Sequence, residues 1–145
     1  MSDVRQIKWD WRFLLLSNHV AQWSKDPSTK IGAVIVRSMN EVVSMGYNGF
    51  AKGMNDIADL YDNRKEKYSR VVHGEVNALL LARQPVTGCT LYTTPFLPCE
   101  RCTVQVIQAG IRRVVSHICI DPRWAESLAK ARGYFEEADV EVMEY

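Results

Sequence analysis

At 145 residues, with 47% hydrophobic and 24% charged side chains, the chain has the length and composition of one globular domain. It is long enough to bury a core without disulfides. A formal net charge of +1 leaves no basic field for gripping long nucleic acid. No apolar run is long enough to span a membrane, and Ser2, Asp3, Arg5 and Gln6 make a polar start, so the expected location is the cytoplasm.

In chain order, Trp9, Phe13, Leu16, Val20 and Trp23 recur at steps of three and four, predicting an amphipathic helix that Asp26-Pro27-Ser28 ends. Ile31 to Val36 and Val42 to Met45 read as two strands about a turn at Ser38 to Glu41, with Gly46 closing the hairpin. From Tyr47 to Arg70 the periodicity dissolves into a long irregular segment, in which Lys65-Glu66-Lys67 reads as solvated. A helix is predicted from His73 to about Arg83, a strand at Thr90 to Thr94, and a helix from Cys99 to Gln108 that Gly110 stops. Arg113 to Ile120 is a strand, Trp124 to Arg132 a helix closed by Gly133, and Val140 to Met143 a last short strand. This order implies one α/β domain over residues 1–145, a mixed sheet with helices on both faces.

The chemistry concentrates in His73-Gly74-Glu75 and Pro98-Cys99-Glu100-Arg101-Cys102. A structural zinc usually takes four protein ligands, whereas a hydrolytic zinc takes three and keeps a position for water. Here His73, Cys99 and Cys102 are the three, with both cysteines expected on one face at the start of a helix. Helix amides favour the thiolates, and two thiolates with a neutral imidazole cancel the charge of a zinc dication. Glu75, not needed as a ligand, is placed to move a proton between water and a leaving group. A lone Cys-x-x-Cys would suit a redox pair or half a zinc knuckle; the His-x-Glu upstream turns the reading towards a zinc nucleobase deaminase. Cys89 and Cys119 read as small buried hydrophobes, and no disulfide is expected.

The chain resembles the deoxycytidylate (dCMP) deaminases of the cytidine deaminase superfamily over nearly its whole length. The resemblance is carried by Ser24-Lys25-Asp26-Pro27, Ile31 to Val36, Gly46-Tyr47-Asn48-Gly49, His73-Gly74-Glu75-Val76-Asn77-Ala78, Tyr92 through Cys102, and Gln108-Ala109-Gly110-Ile111. It implies a three-layer α/β/α sandwich with a five-stranded mixed sheet and an N-terminal hairpin. The implied reaction is hydrolysis of dCMP to dUMP and ammonia, feeding thymidylate synthesis, with one zinc per chain on His73, Cys99 and Cys102 and Glu75 as proton shuttle. It further implies a homohexamer, and regulation by dCTP as activator and dTTP as inhibitor. Magnesium would enter only with those triphosphates.

Asn48 would bond the nucleotide at its sugar, or serve as a plain Asn-Gly turn residue. Tyr47 and Phe50 would line the pocket or pack beside the hairpin. The loop Asn48, Gly49, Phe50 and Gly53 is the candidate regulatory segment, although Ala51 stands where many relatives carry proline. Between Gly53 and Arg70 the chain has neither Cys nor His, so the second zinc of some phage relatives is not expected. For the phosphate, Arg123 could act as a clamp with Trp124 packing on sugar or base, against a solvated Arg and a core-covering Trp. Lys25 and Lys30 are further candidates, against plain surface charge. Two other readings stand beside dCMP: a 5-substituted dCMP or another nucleobase substrate, and a non-catalytic zinc-stabilised nucleotide-binding module.

Overall fold

In the computed structural model, which describes residues 3–145, helix α1 (Val4–Ala21) lies across one face of a five-stranded sheet. Asp3 caps it, its carboxylate accepting from Arg5 N at 3.1 Å. The helix stops at Ala21, short of Trp23, because the chain must turn to bring Ser24 to the Asn48 carbonyl, 2.8 Å away.

The sheet runs in the order β2 (Glu41–Tyr47), β1 (Gly32–Arg37), β5 (Thr90–Thr94), β6 (Arg113–Ser116) and β7 (Glu141–Glu144). β1 is antiparallel to both neighbours, while β5, β6 and β7 are parallel. Alternation along the strands divides the core in two. Val34, Val36, Tyr92 and Val115 meet Phe13 and Leu14 of α1. Ala33, Ile35, Leu91 and Val114 meet the opposite layer, formed by α4 (Gly74–Leu81), α5 (Glu100–Gln108) and α6 (Ala125–Glu137). The architecture is the expected mixed-sheet α/β sandwich.

Two close approaches set the layers. A Cβ on Gly32 would stand 1.9 Å from the Ser17 carbonyl oxygen, so α1 seats directly on β1. A Cβ on Gly46 would stand 2.4 Å from Ala78 N, so α4 lies equally close on β2. Gly46 is therefore inside β2 and does not close the hairpin; Met39 and Asn40, at φ 64° and 61°, make that turn.

The segment read as irregular is ordered instead. It contains β3 (Gly49–Phe50) paired with β4 (Val71–Val72), and between them α2 (Ala58–Asp62) and α3 (Arg64–Arg70). These helices are one to two turns long, too short for a periodic signature. β6 stops at Ser116 rather than Ile120, although Ile118 N still reaches the Tyr145 carbonyl at 2.9 Å beyond the last paired residues, Ser116 and Glu144. α6 passes through Gly133, the packing of Ala131 and Phe135 outweighing the roughly 1 kcal/mol that a mid-helix glycine costs. α4 ends at Leu81, two residues before the expected Arg83.

Candidate metal centre and substrate cavity

His73 and Cys99 are the residues immediately before α4 and α5, and Cys102 lies in the first turn of α5. Cys99 is thus outside the helix rather than on its face, yet its sulfur still converges with the others. Nδ1 of His73 is 3.2 Å from Cys102 Sγ and 3.6 Å from Cys99 Sγ, and all three ligand atoms lie within 4.8 Å of one another. A tetrahedral zinc with ordinary bond lengths separates such donors by roughly 3.5–3.8 Å. The donor set therefore fits that ion with little movement. The neighbouring Cys102 thiol and the His73 ring, against burial, pull the Cys99 thiol down to about 4. A divalent cation that prefers thiolate and imidazole ligands would displace the thiol protons on binding here.

Glu75, one residue into α4, is 2% exposed. Its Oε1 accepts from the Thr93 hydroxyl at 3.0 Å, while among the described residues Oε2 has no hydrogen-bond partner. Burial pushes its carboxyl up, against the pull of His73. A buried carboxyl with one oxygen tethered and the other free is costly unless something polar is meant to meet it. Sequence reasoning missed Thr93; strand alternation carried the signal, since Thr93 shares a face of β5 with Leu91, toward α4 and α5.

A cavity of about 560 Å³ opens over His73, Glu75 and Cys99. Ile31, Val71, Leu97 and the tilted pair Phe96 and Trp124, centroids 5.3 Å apart, give it apolar walls. Asn48 lines it too, but as part of the frame: Oδ1 accepts from Ile31 N at 2.8 Å, and Nδ2 donates to the Thr29 carbonyl at 2.9 Å. Asp26 accepts from Ser28 N and Oγ and from Lys67 Nζ, at 2.8–2.9 Å. Lys67 and Arg70 carry the inner ends of different contacts: Lys67 reaches Asp26, and Arg70 pairs with Glu66.

The expected binding residues divide. Arg123 and Trp124 line the cavity; Arg123 is exposed and forked on Asp121, Nη2 to Oδ2 at 2.7 Å. Tyr47, Lys25 and Lys30 do not line it. Tyr47 packs edge-on to Trp23, Lys25 pairs with Asp56 at 2.9 Å, and Lys30 donates to the Ser24 carbonyl at 2.8 Å. Phe50 stacks on Tyr61 at 4.1 Å, Gly49 pairs with Val72, and Gly53 has a positive φ of 86°. Lys67, expected to be solvated, is 11% exposed and lines the cavity instead, because α3 turns it onto Asp26. Cys89 is buried and Cys119 half-buried.

Two thiols and an imidazole beside a buried carboxyl, under an apolar cavity, have the composition of a metal-dependent hydrolase. Residues 7–118 match the family described as the cytidine and deoxycytidylate deaminase zinc-binding region, and the chain belongs to that family. An uncharacterized deaminase encoded in the luxG 3′ region of Aliivibrio fischeri is 41% identical over 138 residues, covering 93% of this chain and 92% of that protein. The deoxycytidylate deaminase of Mus musculus is 38% identical over 129 residues, covering 79% and 71%. In fold, the chain resembles the crystal structure of dCMP deaminase from the cyanophage S-TIM5 in complex with dCMP and dUMP. The TM-score is 0.76 at 21% identity, over 95% of this chain and 97% of that one. Among the described residues, no helix is long and apolar enough to cross a membrane.

Proposed function

We propose that this chain hydrolyses dCMP to dUMP and ammonia. The observation that carries the reading is the unpartnered Oε2 of buried Glu75, beside three converging metal donors in a family whose relatives include deoxycytidylate deaminases. His73, Cys99 and Cys102 would hold a zinc ion, which when bound polarises water and lowers its pKa. Glu75 then does the proton work. Its Oε2 takes the proton that water loses as the water oxygen bonds to C4 of the cytosine ring. It hands that proton to ring N3, then carries the remaining hydroxyl proton to the exocyclic nitrogen as the C4–N bond breaks, so that C4 becomes a carbonyl and ammonia leaves. Thr93 holds Oε1, so the carboxyl presents one defined oxygen to this exchange.

The walls supply orientation. Phe96, Leu97 and Trp124 give the base flat apolar contacts, and Asn48 Oδ1, with a second lone pair, would accept from a sugar hydroxyl. Arg123 would reach the phosphate by exchanging Asp121 for it.

Mass spectrometry of zinc-loaded protein incubated with dCMP, beside deoxycytidine, tests the reading. We expect dUMP from dCMP and far less deoxyuridine from deoxycytidine; a zinc-loaded protein that converts neither contradicts it. Family resemblance extends the reading to a cytoplasmic homohexamer activated by dCTP and inhibited by dTTP, each with magnesium, acting through Asn48, Gly49, Phe50 and Gly53. Repeating the assay with each triphosphate, and measuring solution mass, checks that extension: rates unmoved by either nucleotide contradict the regulation, and a monomeric mass contradicts the assembly.

A further inference from the structure

The segment between β3 and β4 turns one face of α3 toward the cavity. Arg64, Lys67 and Tyr68 of α3, at i, i+3 and i+4, all line it, and Arg123 lines it from the loop before α6. The acidic lining residues are Asp26 and Glu75, and Asp26 is already neutralised by Lys67 at 2.8 Å. Lys67 Nζ donates to Asp26 Oδ1 and, at 2.6 Å, to Ser28 Oγ. An ammonium has three donors, so one remains uncommitted on a side chain 11% exposed. Among the described residues Arg64 makes no ion pair and no side-chain hydrogen bond, whereas Arg123 is held by Asp121. The side of the cavity formed by α3 thus carries a free guanidinium, a fixed ammonium with a spare N–H, and a phenol.

We infer that Arg64 and Lys67, on the cavity-lining face of α3, form the core of the 5′-phosphate subsite that Arg123 completes from the loop before α6, and that Arg64 and Lys67 make the cavity select a nucleoside monophosphate over the free nucleoside. The inference rests on the reading of the cavity as a dCMP site. A phosphate monoester carries close to two negative charges near pH 7 and takes several donors at once. Lys67 supplies the pre-positioned contact, since Asp26 and Ser28 fix its nitrogen before any ligand arrives. Arg64 supplies the planar fork. Lys65, between them in sequence, is exposed like Arg64 but does not line the cavity.

Calorimetric titration of zinc-loaded protein with dUMP and with deoxyuridine tests the subsite without turnover. In Arg64→Gln we expect the Kd for dUMP to rise about tenfold while that for deoxyuridine changes less than twofold. Lys65→Gln should move neither. Lys67→Met should weaken dUMP further and lower the thermal midpoint, because it also strips Asp26; Arg64→Gln keeps the test decisive if that variant fails to fold. Equal losses for both ligands in Arg64→Gln, or none for dUMP, overturn the subsite while leaving dCMP conversion standing. A wild-type protein that converts no dCMP overturns the functional reading, and the subsite with it.

Discussion

Two buried carboxyls on opposite faces of the same sheet are treated in opposite ways. Asp10, on the α1 face, is fully buried and fully bonded. Its oxygens accept a two-pronged bond from Arg113 at 2.8 and 2.7 Å, the hydroxyls of Tyr92 and Tyr145, and Gln6 Nε2. Burial alone would push this carboxyl up, yet Arg113, Tyr145 and Tyr92 outweigh it and hold it below the usual range. Glu75, on the α4 face, has one tethered oxygen and one free, and burial leaves it raised. A satisfied carboxylate ties elements together and has no capacity left for chemistry. The orphaned oxygen is what a proton shuttle requires.

Removing the metal should produce the largest effect. Chelation should abolish dCMP turnover and restoring zinc should return it, with far-UV circular dichroism preserved because the sheet's two cores do not depend on the site. Turnover that survives complete chelation would remove the basis for assigning His73, Cys99 and Cys102 to the metal. Asp10→Asn strikes the opposite carboxyl. It leaves Arg113, 12% exposed, facing a neutral partner and the longer 3.5 Å contact to the exposed Glu141, and should cost about 3 kcal/mol in denaturant unfolding with kcat of the folded enzyme little changed. A comparable loss of kcat would erase the division of labour between the two groups.

Thr93→Val is a finer probe, since it frees Oε1 while keeping the side chain's shape. We expect kcat to fall about tenfold with KM nearly constant, and Thr93→Ser to recover most of it. An equal fall in stability without a change in kcat would reduce Thr93 to a packing residue. The smallest effect is in acid. Asp10 has a folded pKa below its ordinary 3.8, so the stability it contributes is present above that value and is lost as pH falls through the lower folded one. Below about pH 4 the wild type should therefore lose stability more steeply than Asp10→Asn; parallel curves would show that the Arg113 network does not hold the proton off.

Much of this was readable before the fold. The metal donors and Glu75 stand in two short motifs whose residue types are set by chemistry, and the strands announce themselves by apolar runs. What escaped was set by tertiary contact. Lys67 looks like part of a solvated charge run until α3 turns it onto Asp26, which lies 41 positions earlier. Thr93 looks like an ordinary strand threonine until α4 brings Glu75 against it. Gly133 looks like a helix stop, and only the packing around Phe135 carries the helix past it. Lys25 and Lys30, chosen for charge and position in the chain, are engaged by Asp56 and the Ser24 carbonyl away from the cavity.

The most direct test of the contrast is Glu75→Gln, assayed on one preparation for zinc content, thermal midpoint and dUMP production. The account predicts one zinc per chain, a midpoint equal to or above the wild type because burial disfavours a charge at this position and the amide carries none, and turnover lowered by a factor of about 10²–10⁴. Near-normal dUMP production from zinc-loaded Glu75→Gln would contradict it, because the free oxygen would then have no part in moving the proton.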